Sequence, residues 1–126
     1  MSLKQFNRVV KSFGDRVPKE KVLVYLKKMS LEALKRIVEK TPVDTGRARG
    51  GWQVSFKTPA FSEGGTDASG AGTINTGSSQ ILGLKDPVAV FISNNVEYII
   101  YLEDGTSTQA PEGMVALTIE ELLGMF

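Results

Sequence analysis

The stretch "KEKVLVYLKKMSLEALKRIVEK", residues 19–40, decides the fold because it carries the clearest helical period in the chain. Its apolar residues recur every three or four positions, which is the spacing of one face of an α-helix. The central stripe consists of Val22, Leu26, Met29, Ala33 and Ile37, broadened by Leu23 and Leu34. Pro18 suits the first turn of a helix. The pattern therefore predicts an amphipathic helix over residues 19–40, about 33 Å long.

The back of this helix carries a second apolar set, which we call the seam, at seven-residue spacing beside a row of lysines. The seam is Val24, Leu31 and Val38, and the lysines are Lys21, Lys28 and Lys35. A contiguous apolar surface outside the core marks an interface between subunits. The seam therefore predicts a subunit contact, with a place for Val38 in the primary core as the alternative.

Immediately after the helix, residues 41–52 read "TPVDTGRARGGW" and contain the triplet Asp44-Thr45-Gly46. Pro42 disfavours helical angles at Thr41, so the helix ends there. The Asp44 side chain can accept a hydrogen bond from the backbone two residues on, and Gly46 can adopt a positive φ. The triplet therefore predicts a tight turn into a strand over residues 51–57, in which Trp52, Val54 and Phe56 share one face.

The same triplet is also the catalytic sequence of aspartic proteases, in which two copies meet across a dimer and share a proton. That chemistry needs a dry, apolar site. Here Arg47 and Arg49 follow directly and would keep Asp44 ionised, and the chain begins with helix although those proteases are mostly strand. A structural turn is the favoured interpretation, with catalysis through Asp44 as the alternative.

Residues 58–86 contain six Gly and four Ser, with Ile74, Ile81 and Leu82 as the main apolar anchors. This composition predicts a long flexible loop or an extended hairpin arm. Residues 87–93 then predict a central strand, apolar on both faces. Asn94 predicts the cap of a short helix ending near Glu103. Residues 114–126 predict a further helix, with a strand over 114–119 as the alternative.

These elements predict one domain over residues 1–126 in the α+β class. The expected architecture is a long amphipathic N-terminal helix packed on a small, mainly antiparallel sheet. Short helices lie near the C-terminus, and the Gly/Ser-rich loop or hairpin arm joins the strands. Residues 3–13 predict a further short amphipathic helix.

Composition excludes several classes of chemistry. The chain has no Cys and no His, which excludes Ser-His-Asp and Cys-His catalysis and His or Cys metal ligands. No cofactor or metal site is expected, and no apolar run is long enough to span a bilayer. The N-terminus lacks the apolar core of a signal peptide, so the chain is expected to stay inside the cell that makes it.

Charge is segregated along the chain. Residues 1–50 contain 13 Lys and Arg against 5 Asp and Glu, a net charge of +8, whereas residues 51–126 contain 2 against 9, a net charge of −7. A basic half is typical of proteins that contact nucleic acid. Opposite halves on one chain also favour a second interpretation, in which a basic surface of one copy meets an acidic surface of the next. Solvated surface that happens to segregate is the third interpretation.

Glu103 and Asp104 are adjacent acids at the predicted end of a helix, where the helix dipole disfavours negative charge. We expect a cationic partner, with Arg47 or Arg49, within one chain or between subunits, as the candidates. A hard metal ion held together with Glu97 or Asp86 is the alternative.

Two stretches in order carry a resemblance to a known family. After the long helix, "TPVDTGRARGGW" resembles the family's Pro-Val-Asp-Thr-Gly-Arg turn. Residues 93–119, "SNNVEYIIYLEDGTSTQAPEGMVALTI", resemble its series of Asn-Asn-x-x-Tyr, an apolar helix, Glu-x-Gly-Thr-Ser and Gln-Ala-Pro. The chain resembles the tail-component family of head-to-tail joining proteins, also called neck or tail-completion proteins, of long-tailed bacteriophages. We call the two stretches the turn motif (41–52) and the C-terminal motif (93–119).

The resemblance implies a non-enzymatic virion protein located in the tail or neck, and in the host cytoplasm during assembly. It implies a ring of identical subunits that meets the tail terminator, tail tube or connector, with non-specific DNA contact and no membrane. The expected interface residues are Val24, Leu31, Arg47, Arg49, Trp52, Glu103, Asp104 and Gln109. A module that binds the DNA backbone through the basic half is the alternative function.

Overall fold

The computed structural model describes residues 2–5, 7–8, 11, 18–43, 46–104 and 113–125. The elements, in chain order, are helices and strands α1 Lys19–Lys40, α2 Arg47–Gly50, β1 Trp52–Phe56, α3 Ala71–Leu82, β2 Val90–Asn94, α4 Ile99–Glu103 and α5 Val115–Met125. Residues 3–5, 7–8 and 11 are also helical. The predicted α+β class is confirmed.

Helix α1 has the predicted bounds and ends where Pro42 requires it. Thr41 adopts extended angles, with φ −73° and ψ 128°, and its hydroxyl donates to the Ile37 carbonyl at 2.6 Å. The helix packs mainly against α3 and α5, and α3 in turn packs against β1. The predicted packing of α1 on the sheet is therefore only partly matched, because α1 packs mainly on the helices α3 and α5.

Strands β1 and β2 form an antiparallel pair with Trp52 opposite Asn94 and Phe56 opposite Val90. The strand predicted over 51–57 is confirmed. The strand predicted over 87–93 as central is wrong in that respect: within the described part of the chain, β2 has β1 as its one neighbouring strand. All five residues of β2 are half-buried. The apolar side chains on both of its faces therefore do not require a second neighbouring strand.

The prediction of a flexible loop or hairpin arm over residues 58–86 is wrong for Ala71–Leu82, which form α3. Gly77 and Ile81 of this helix are buried. A Cβ at Gly77 would lie 2.5 Å from Leu34 Cδ2 and 2.8 Å from Val54 Cγ2. The glycine that weakens helix propensity is therefore also what lets the helix approach α1 and β1.

The core draws on both halves of the chain. Its buried members are Leu34, Ile37, Val38, Trp52, Val54, Ile81 and Met114. Val38 is fully buried and Leu31 packs against the core, whereas Val24 is 64% exposed. The alternative that placed Val38 in the core is confirmed, and of the seam Val24 faces solvent.

The predictions for the two C-terminal helices differ in accuracy. The helix predicted over 114–126 is confirmed as α5, and the strand alternative over 114–119 is wrong. Helix α4 begins at Ile99 and not at Asn94, because Asn94 ends β2 and its side-chain oxygen accepts from the Val96 N–H at 3.1 Å. No helix among the described residues is both long and apolar enough to cross a membrane.

Candidate functional site at the junction of the two motifs

The turn motif and the C-terminal motif contact each other directly. The Asn94 amide donates to the Ala48 carbonyl at 2.8 Å. A Cβ added at Gly51 would lie 2.7 Å from Val96 Cγ2 and 2.8 Å from Asn94 Oδ1. Glycine at position 51 is therefore required by the close approach of the second motif, and two stretches about 40 residues apart form one structural unit.

Gly46 fixes the turn at the start of this unit. Its φ is +82°, as the turn prediction required, and its carbonyl accepts from the N–H groups of Gly50 and Asp67, each at 2.9 Å. The turn leads first into the single-turn helix α2 and only then into β1. Asp44 and Thr45 lie outside the described residues, so the structure does not test the catalytic alternative through Asp44.

Arg47 lies over the C-terminal motif. Its guanidinium carbon is 5.6 Å from the centre of the Tyr98 ring, within the range of a cation–π contact. Its Nε donates to the Glu63 carboxylate, and Nη1 lies 4.0 Å from Glu97. The hydrogen bond to Glu63 raises the pKa of Arg47 and lowers the pKa of Glu63. Both groups therefore stay ionised over the whole neutral range.

Arg49 acts as a clamp on backbone carbonyls. It donates to the carbonyls of Thr41 at 2.8 Å and Glu39 at 3.1 Å, at the C-terminal end of α1. It also reaches the carbonyls of Ala68 and Ser69, at 3.2 and 3.4 Å. A cation at a helix C-terminus satisfies carbonyls that have no partner inside the helix. Arg49 thus ties α1 to the loop that precedes α3.

Glu103 caps the N-terminus of α5. One carboxylate oxygen accepts from the N–H groups of Met114 and Val115 at 2.8 Å, and the other accepts from Ala116 at 3.0 Å. An anion at this end of a helix is favoured by the dipole and by the free N–H groups. The cost expected for an acid at the end of α4 is therefore offset by a second helix.

The prediction that Arg47 or Arg49 pairs with Glu103 or Asp104 is wrong within one chain. Glu103 is bonded to backbone N–H groups, and the two arginines have the partners given above. Asp104 is exposed. No group of three or more carboxylates among the described residues is arranged to hold a metal ion. Gln109 lies outside the described residues.

Trp52, an expected interface residue, lies in the core of the chain. Its side chain is 6% exposed, and its indole N–H donates to the Thr41 hydroxyl at 2.8 Å. That hydroxyl donates in turn to the Ile37 carbonyl. Trp52 therefore joins the end of α1 to the start of β1 and satisfies a buried polar pair.

Several charges of the basic half find partners in the acidic half of the same chain. Arg36 and Lys40 both bind Glu121 of α5, with Lys40 at 2.7 Å, and Lys19 binds Asp86. The hydrogen bonds from Lys40 and Arg36 lower the pKa of Glu121. Some basic residues of the N-terminal half are therefore paired with acidic residues of the C-terminal half within one chain.

A groove of about 590 Å³ with a mixed polar and apolar lining lies between β1, α3 and the loop over residues 64–67. The Asp67 carboxylate in its wall accepts from the Thr73 N–H and hydroxyl, each at 2.8 Å, and from the Gly70 N–H at 3.2 Å. These bonds, led by the one from the Thr73 backbone, lower the pKa of Asp67. A carboxylate so engaged caps α3 and is a weaker base than a free carboxylate.

Sequence reasoning missed Asp67 as a structural residue. The available signal was an acid shortly before a Gly-containing segment, since Asp side chains accept hydrogen bonds from backbone groups a few residues on. Among the described charged residues of the two motifs, Arg47, Arg49 and Glu103 bond within the chain, whereas Glu97 and Asp104 are exposed. Large apolar side chains are also exposed, and they include Val24, Tyr25, Met29, Leu82, Ile100, Tyr101, Ile119, Leu123 and Met125.

Comparisons with protein-family models, with curated proteins and with solved structures found no match to this chain.

Proposed function

We propose that this chain is a structural virion protein of a tailed bacteriophage, which completes the tail and takes part in joining it to the head. In this role it acts as one subunit of a ring and performs no reaction. Its partners are further copies of itself and the tail terminator, tail tube or connector. It resides in the neck of the virion, and in the host cytoplasm before assembly.

The observation that carries the proposal is the use of the polar motif residues. Arg49, Glu103 and Asn94 bond to backbone groups of the same chain, and Trp52 is buried. Residues that make the sequence resemble the tail-completion family therefore hold the fold, and Asn94 joins the two motifs directly. A family recognised by such residues shares a scaffold and not a catalytic constellation.

The exposed surface supports a role in binding other subunits. Ile119 and Leu123 lie on one side of α5, at 52% and 78% exposure, and Ile100 and Tyr101 are similarly open on α4. Single exposed apolar residues are ordinary, but several on neighbouring turns favour a protein contact. A subunit of an assembly covers such side chains only when its neighbours are present.

The test is to inactivate the gene in the phage that encodes it and to image the products by electron microscopy. We expect filled heads and separate tails, few joined particles, and recovery when the wild-type chain is supplied from a plasmid. A chain carrying Leu34→Ala, which damages the core, should rescue poorly. Normal numbers of joined, infectious particles without the chain would contradict the proposal.

The second candidate is a module that binds the DNA backbone, and one observation favours it. Lys21, Lys28 and Lys35 are all exposed along one side of α1. Phosphate contacts of this kind make affinity fall steeply with salt. Binding of random duplex DNA, measured at two salt concentrations, tests it; affinity that is absent at low salt removes this candidate.

A further inference from the structure

Two surface segments of the chain have the same layout and opposite charge. On α1, residues 21, 24, 25 and 28 follow the i, i+3, i+4, i+7 spacing of one helix face. Residues 97, 100, 101 and 104 have the same spacing, and the first and last of them flank α4. The basic face is Lys21, Val24, Tyr25 and Lys28. The acidic face is Glu97, Ile100, Tyr101 and Asp104.

Both faces are open to solvent, since each of their residues is exposed. At the centre of the basic face, Val24 is 64% and Tyr25 is 62% exposed. At the centre of the acidic face, Ile100 is 69% and Tyr101 is 65% exposed. Each face is thus an aliphatic and an aromatic side chain between two like charges. This is the arrangement of an interface with an apolar centre and a charged rim.

Lysines give the basic face its sign and carboxylates give the acidic face its sign, and Glu32, the acid beside the basic face, is hydrogen-bonded to Arg36. Lys35 continues the basic row one step further along α1 and is exposed. On the acidic face, Glu97 lies 4.0 Å from Arg47 but keeps 83% of its side chain exposed. Neither face can pair with a copy of itself without bringing like charges together, a juxtaposition that costs affinity.

We propose that the basic face of one copy packs against the acidic face of the next copy. Val24 and Tyr25 then meet Ile100 and Tyr101, while the lysines of one rim face the carboxylates of the other. The contact joins different surfaces of two identical chains, so each subunit keeps one face of each kind for further neighbours. Such contacts make rings when the rotation closes and open chains when it does not.

This inference rests on the proposed function as a subunit of an assembly, and it names the contact. A second copy fits the observations better than DNA does. DNA would engage the lysines alone, and it would make no use of the acidic face or of the apolar centres of the two faces. The charge match and the matched apolar centres are both accounted for by one partner.

The first experiment is sedimentation of the purified full chain with charge-reversed faces. We expect the wild type to associate as concentration rises, and the variants Lys21→Glu/Lys28→Glu and Glu97→Lys/Asp104→Lys to associate at least about tenfold more weakly. An equimolar mixture of the two variants should associate again, because each then offers the charge that the other lacks. The control Lys4→Glu/Lys85→Glu carries the same charge change on exposed positions outside the faces and should behave as the wild type.

A second experiment uses the absence of cysteine from the chain. Chains carrying Tyr25→Cys and chains carrying Tyr101→Cys are mixed and oxidised, and the disulfide-linked products are separated by size and identified by mass. With equal amounts of the two chains, random pairing gives the mixed dimer at twice the amount of each like-with-like dimer, and we expect the mixed dimer to exceed that ratio clearly. A ratio at or below the random value, or no mixed dimer from two variants that unfold in urea as the wild type does, would overturn the contact.

The outcomes separate this inference from the others. A wild-type chain that stays monomeric, or a variant mixture that does not recover, overturns the contact while leaving the gene-inactivation result untouched. Joined particles in the absence of the chain overturn the proposed function but not a contact seen in solution. If the basic-face variant loses duplex DNA binding and the acidic-face variant still associates as the wild type does, the basic face binds DNA and the inference fails.

Discussion

Helices α1 and α3 pack against each other, yet they form for different reasons. Helix α1 has 22 residues with long aliphatic and charged side chains, most of which favour a helix on their own. Helix α3 has 12 residues, "AGTINTGSSQIL", in which Gly, Ser, Thr and Asn dominate and helix propensity is low. The first helix is favoured by its own sequence, and the second depends on what surrounds it.

The surroundings of α3 can be named. Before it, Asp67 accepts from the Gly70 and Thr73 N–H groups, and Gly70 adopts φ +77°. Within it, Gly77 lies against Leu34 and Val54. At its end, the Leu82 carbonyl accepts from the Lys27 ammonium at 2.9 Å. The difference teaches that a polar, Gly-rich segment becomes a helix when caps and close packing replace propensity.

The largest effect is expected where the two helices meet. Leu34→Ala should lower the free energy of unfolding by about 2–5 kcal/mol, because Leu34 is fully buried and its removal leaves a cavity. Val24→Ala on the same helix is the matched control, and it should change stability by no more than about 0.5 kcal/mol. Urea unfolding followed by circular dichroism measures both; similar losses at the two sites would contradict this account of the core.

Next in size is the close approach at Gly77. Gly77→Ala places a methyl group 2.5 Å from Leu34 and 2.8 Å from Val54, so we expect a loss of about 1–3 kcal/mol from overpacking. Gly72→Ala in the same helix meets nothing nearer than Asp67 Oδ2 at 3.4 Å. That variant should gain about 0.5–1 kcal/mol from helix propensity. A gain in stability from both variants would show that α3 does not need glycine at position 77.

The cap of α3 is expected to contribute less. Asp67→Ala removes the acceptor for the Gly70 and Thr73 N–H groups and should cost about 0.5–2 kcal/mol. Asp67→Asn keeps one acceptor oxygen and should cost less. Faster hydrogen exchange at the amides of α3, with those of α1 unchanged, is the expected signature; uniform change across both helices would argue against a local cap.

The smallest effect expected is on the pH dependence of stability. The pKa of Asp67 is below its ordinary value of 3.8 because the folded chain bonds to the ionised carboxylate. A carboxylate whose pKa is lower in the folded than in the unfolded chain stabilises the protein at pH values above its unfolded pKa. This stabilisation is lost as the pH falls through the folded pKa. The unfolding free energy of Asp67→Asn should therefore fall less on acidification than that of the wild type. Parallel curves would exclude a role for this carboxylate.

The same contrast explains which elements could be predicted from the sequence and which could not. Helix α1, strand β1 and helix α5 were predictable because their side chains repeat with the period of the element. Helix α3 was not, since Asp67, Gly70 and Gly77 read as loop residues until their partners are known. At the candidate site, the positive φ of Gly46 was predictable from residue type. The partners of Arg47, Arg49 and Glu103 were not, because long-range hydrogen bonds leave no local pattern.

The measurement that tests the central claim most directly is the yield of infectious particles when the chain supplied carries Lys21→Glu and Lys28→Glu. Both positions are exposed, and Glu is as good a helix former as Lys, so the free energy of unfolding should stay within about 1 kcal/mol of that of the wild type, the most that an exposed ion pair contributes. A chain that acts by binding other subunits should then give few joined particles, while the Lys4→Glu/Lys85→Glu control restores them. Wild-type yield from the stable, face-reversed chain would contradict the account.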